Sequence, residues 1–87
     1  MDILEEVKVS LGIMTDDEMI NRNIILKINA VKSYLIKGGL NIDENQLLDE
    51  EVIACIATGV NDLLNNKAGD TKFSPAFNIL AMQICRG

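Results

Sequence analysis

Apolar residues return at intervals of three and four along most of this chain, and four stretches of that pattern predict helices. The longest, Met19 to Lys37, places Ile20, Ile24, Ile28, Val31 and Leu35 on one face at about 100° per residue, the expected core stripe. Ile25, Leu26 and Ile36 fall well off that stripe, so the helix has more apolar residues than one buried face needs. Its only charges are positive: Arg22, Lys27, Lys32 and Lys37. A chain of 87 residues has little interior for a second apolar face, and sizeable exposed apolar patches mark interaction sites.

Local punctuation sets the other boundaries. Asp2 and Glu5 fit a carboxylate capping box for a first helix that buries Ile3, Leu4, Val7 and Leu11 and stops at Gly12. Thr15-Asp16-Asp17-Glu18 reads as a second capping box, with three acids at the positive end of the long helix. Gly38-Gly39 ends that helix. Asp43 with Gln46 can cap a short turn, or Asp49 can open the third main helix, roughly 49–66. That helix aligns Val52, Ile53, Ile56, Val60, Leu63 and Leu64. Gly59, one turn after Cys55, is where another backbone can come close. Asn65 to Asp70 is a turn-rich connection, and Ser74-Pro75 starts a last helix with Phe77, Leu80, Ala81 and Ile84 inward.

Composition agrees with helices. Hydrophobic content of 48% with 24% charged residues belongs to a folded protein, and Tyr34, Phe73 and Phe77 are the only aromatics. No β-branched run alternates strictly, so strands lack support. The expectation is an all-α fold, a small bundle of four to five helices forming a single domain over residues 1–87, with no repeat or linker.

The formal net charge is −5, which disfavours autonomous binding to a phosphate backbone. The charges are segregated. Residues 2–18 carry six acids and one lysine, residues 19–42 four bases and no acid, and residues 43–51 five acids and no base. Such segments can satisfy each other within one chain or pair between copies.

Little in the chain supports chemistry. There is no histidine to act as general base or metal ligand. Cys55 and Cys85 stand thirty residues apart in apolar helical patterns and read as core thiols, with no zinc-ligand spacing around them. Residues 43–51 lack the glycine and alternating oxygen ligands of a calcium loop, and Gly38-Gly39 is followed by no phosphate-loop lysine. The expectation is a non-enzyme with no cofactor and no metal. No apolar stretch reaches the roughly 18 residues of a membrane span, and the acidic opening is no signal peptide, so synthesis in the cytoplasm is expected. An alternative is a small cytosolic helical regulator, or a helix-turn-helix reader of DNA built across Gly38-Gly39. Against the DNA reader, Asp43, Glu44, Asp49, Glu50 and Glu51 stand where a recognition helix would meet phosphates.

The opening Met1-Asp-Ile-Leu-Glu-Glu-Val-Lys-Val-Ser-Leu-Gly-Ile-Met-Thr-Asp-Asp-Glu18 resembles the small head-tail connector (adaptor) proteins of tailed bacteriophages and prophages. It has a short helix, a Gly-Ile link and a Thr-Asp-Asp cap before a long helix. The blocks Asp49 to Leu64 and Phe73 to Ile84 agree with it. Two features depart from the family pattern: the third helix carries no aromatic residue, and the connection from Asn65 to Phe73 is short. The resemblance implies a non-enzymatic α-helical subunit of the virion head-tail junction. It implies a homo-oligomeric ring on the portal protein that extends the DNA channel and receives a tail or head-completion (stopper) protein. Neither sequence-specific nucleic acid nor membrane is among the expected partners. The candidate subunit or partner interface is Arg22, Ile25, Leu26, Lys27, Lys32 and Ile36.

Overall fold

The computed structural model describes residues 3–39, 50–66 and 73–86, with residues 85 and 86 described by their backbone alone. Four helices and no strand occur among them: α1 (Ile3–Leu11), α2 (Glu18–Lys37), α3 (Glu50–Asn65) and α4 (Pro75–Arg86). The Asp2 cap, the Asp43–Gln46 turn that would be a fifth helix, the Asp49 cap, most of the 65–70 connection and the Cys85 thiol lie outside the described residues.

Three of the boundaries show a local cause. Gly12, at φ +74°, lets the chain leave α1 in a left-handed conformation that a side chain would disfavour. The Gly12 amide then donates to the Val9 carbonyl (3.1 Å) and the Ile13 amide to the Lys8 carbonyl (2.9 Å), the paired bonds of a Schellman motif. Helix α2 begins later than its capping-box reading implies. Asp17 is its cap, and Asp17 Oδ1 accepts from the Met19 and Ile20 amides at 2.8 and 3.3 Å. The Thr15 hydroxyl is already engaged, accepting from the Asp17 amide at 3.2 Å. Ser74 caps α4 as expected, its Oγ accepting from the Phe77 amide at 3.2 Å, with Pro75 as the first helical residue.

Helix α3 packs against each of the other three, and α1 also meets α2. All four helices contribute to one buried cluster: Val7 from α1; Ile24, Ile28, Val31 and Leu35 from α2; Val52, Cys55, Ile56, Ala57 and Val60 from α3; Phe77 and Ala81 from α4. Leu63, Leu64, Leu80 and Ile84 are half-buried against it. The Cα radius of gyration is 12.2 Å, against about 12 Å expected for a compact chain of this length.

Two contacts tie α2 and α3 to α4. A Cβ placed on Gly59 would lie 2.9 and 3.0 Å from the two Val31 methyls and 3.1 Å from Phe77 Cε2. The close approach expected at Gly59 is therefore present, with α2 and α4 both crowding it. The chain's three aromatics also meet: Phe73 and Phe77 ring centroids are 4.2 Å apart, and Tyr34 from α2 lies 4.9 and 5.7 Å from them.

Ile20 does not join the core. It is 42% exposed. In the first turn of α2 the position facing α1 is taken by Asn21, whose Oδ1 receives the Lys8 ammonium at 2.7 Å. Ile20, about 100° further round the helix, points away.

Candidate interface on helix α2

The core takes one side of α2 and leaves the other to solvent. Ile25, Leu26 and Ile36 are 41%, 62% and 54% exposed. At about 100° per residue, Lys32, Ile25, Ile36, Arg22 and Leu26 share an arc of roughly 120° beside the core stripe. Lys27 lies on the opposite flank, outside that arc, and its ammonium donates to Asn23 Oδ1 at 2.7 Å. Five of the six candidate residues thus share one side of the helix. Met19, exposed seven residues before Leu26, extends the same strip and was not among the candidates. The i, i+7 spacing is the signal that marks it.

The strip is apolar with two cations. An ion pair lies elsewhere, between Lys8 and Asp16 at 3.6 Å. Lys8 itself is buried. Its ammonium donates to the Thr15 carbonyl and to Asn21 Oδ1, so a lysine on α1 holds the 12–17 link against α2. A second polar clamp sets α4: Asp62 Oδ2 accepts from the Ser74 amide at 2.9 Å and the Ser74 hydroxyl at 2.8 Å. Sequence periodicity carries no sign of either clamp, because both join residues seven or more apart.

Three surface hollows accompany the strip. A cleft of ≈ 530 Å³ between the end of α2 and α4 is lined mainly by apolar atoms, including Tyr34, Leu35, Ala81 and Met82. A groove of ≈ 230 Å³ lies between the start of α3 and α4, with Glu50 and Glu51 at Ala54, Leu80, Gln83 and Ile84. A third, of ≈ 170 Å³, lies beside α1 and includes Glu5, Lys8 and Asp16. Among the described residues no three histidine, cysteine or acidic side chains come together as a metal site would require. Nor is any helix long and apolar enough to cross a membrane.

Helix α3 stands where a DNA reader would put its recognition helix. It is the hub of the packing, buried at Val52, Ile53, Cys55, Ile56, Ala57, Gly59 and Val60. What it leaves exposed opens with Glu50 and Glu51, which repel phosphates.

A family model described as phage connector protein matches residues 3–46, half of the chain. The match contains α1, α2 and every candidate interface residue; the resembling blocks 49–64 and 73–84 lie beyond it. No curated protein and no solved structure matches the chain. With a helical hairpin of the expected form across its matched half, the chain belongs to the phage connector family, whose members are structural proteins of the head-tail junction.

Proposed function

We propose that this chain is a head-tail connector subunit that assembles as a homo-oligomeric ring on the portal protein. The ring extends the DNA channel and receives the downstream tail or head-completion protein, which places the chain in the virion at the head-tail junction. The observation that supports this reading most is the open side of α2, where Ile25, Leu26 and Ile36 stand in solvent within the family-matched segment. Burying the exposed parts of three such side chains contributes on the order of a few kcal/mol, enough to favour a contact without ordering it alone. Arg22 and Lys32 flank the apolar residues and select a partner surface that carries acids.

Leu26→Glu tests the reading. Leu26 lies off the core stripe, so helicity and melting temperature should stay close to those of the parent. Co-sedimentation with purified portal particles should be lost. A variant that folds and still joins the particles as the parent does would place the interface elsewhere. A variant that unfolds would make this side of α2 part of the core.

A further inference from the structure

The open side of α2 has a complement on the same molecule. It is apolar and carries Arg22 and Lys32, and no acid occurs on α2 after Glu18. Two copies of this face laid against each other would bring like charges together, which opposes a symmetric pairing of α2 with α2. The groove between α3 and α4 has the opposite character. Ala54, Leu80 and Ile84 supply apolar lining, while Glu50 and Glu51 bring two carboxylates to it. Both acids are exposed, and among the described side chains neither meets a base.

The hollow beside α1 is the rival acidic surface, with Glu5 and Asp16. There a cation is already built in. The Lys8 ammonium lies in that hollow 3.6 Å from Asp16, which lowers its attraction for further bases. Among the described side chains, none opposes the negative charge of the α3–α4 groove. The two surfaces share no residue, as a head-to-tail contact requires: each copy offers α2 to one neighbour and its groove to the other.

Building on the assembly reading above, we infer that the groove of Glu50, Glu51, Ala54, Leu80, Gln83 and Ile84 receives the α2 face of a second copy of this chain. Leu26 and Ile25 enter the apolar part, and Arg22 and Lys32 meet Glu50 and Glu51. The contact is heterologous and repeats around a ring.

Charge reversal on purified portal particles tests the pairing. Arg22→Glu with Lys32→Glu, and separately Glu50→Lys with Glu51→Lys, should each reduce incorporation at least tenfold. A mixture of the two double variants should recover part of it, because each supplies the charge the other now needs. Lysines at the start of α3 oppose its helix dipole, so each variant's melting curve is recorded. A second measurement needs no substitution: zero-length carbodiimide cross-linking of mixed light and heavy-isotope subunits on the particles. The expected product is an intermolecular link from Lys32 to Glu50 or Glu51. Links from Lys32 to Glu5 or Asp16 of another copy, or to portal peptides alone, would overturn the pairing. If Leu26→Glu abolishes incorporation while the acid reversal leaves it intact, α2 meets the portal instead; this inference then fails and the assembly reading stands. If Leu26→Glu is incorporated normally, the interface lies away from this side of α2, and both the proposed α2 interface and this inference fail.

Discussion

At the residue scale, Gly59 shows how little room the core leaves. A methyl group there would meet both Val31 methyls and the Phe77 ring at 2.9–3.1 Å. Val31 is β-branched and fully buried, so it has no alternative rotamer into which to retreat. Alanine in place of glycine gains about 1 kcal/mol of helix propensity, and the clash opposes it. Gly59→Ala should therefore fail to stabilise the protein despite its mid-helix position. Gly59→Leu should cost roughly 1–3 kcal/mol from overpacking, a fall in Tm of at least about 4 °C for a chain of this size. Thermal unfolding followed by circular dichroism checks both. A stabilised Gly59→Ala protein would show that α2 and α4 give way more easily than their packing implies.

At the element scale, the start of α2 is decided by which oxygen reaches the free amides. Asp17 Oδ1 accepts from two of them, while the Thr15 hydroxyl is used one step earlier, on the Asp17 amide. Asp17→Ala should cost about 1 kcal/mol, the usual loss for a cap, with the favourable charge at the helix start lost as well. Thr15→Ala should cost less than half of that. Urea unfolding of the two variants orders them, and a larger loss at Thr15 would restore the capping box read from Thr15-Asp16-Asp17-Glu18. The same principle explains why α4 starts where its Ser-Pro pair places it. The Ser74 hydroxyl caps locally and also donates to Asp62, fastening the helix start to α3.

At the scale of the whole molecule, one core is shared by four helices. The Cys55 side chain lies within it, fully shielded, with residues of all four helices in the same cluster. No single helix can leave without opening that core. Thiol labelling of Cys55, read by peptide mass spectrometry so that Cys85 is distinguished, should proceed only through global unfolding and speed up with urea as steeply as the unfolding equilibrium does. Labelling independent of denaturant would reveal a local opening around α3. The outer surface follows a different logic: Leu26 and its neighbours contribute little to this core, which leaves them available for assembly contacts.

Helix positions and the core stripe were legible in the sequence because their causes are local. Gly12, Asp17, Gly38 and the Ser74-Pro75 pair act over three or four residues, and Ile24, Ile28, Val31 and Leu35 declare their common face by spacing alone. The surplus of Ile25, Leu26 and Ile36 was legible for the same reason: an apolar residue off the stripe of a small protein has few places to hide. The tertiary structure decided what depends on a neighbour distant in sequence. It turned Ile20 outward by giving the α1-facing position to Asn21, and buried Lys8 between a carbonyl and an amide oxygen. It gathered Tyr34, Phe73 and Phe77 into one aromatic cluster, and made α3 the hub that carries an acidic groove. Periodicity specifies which face of a helix is apolar. Which helix covers that face, and which face stays open, is settled by packing between segments that no local pattern connects.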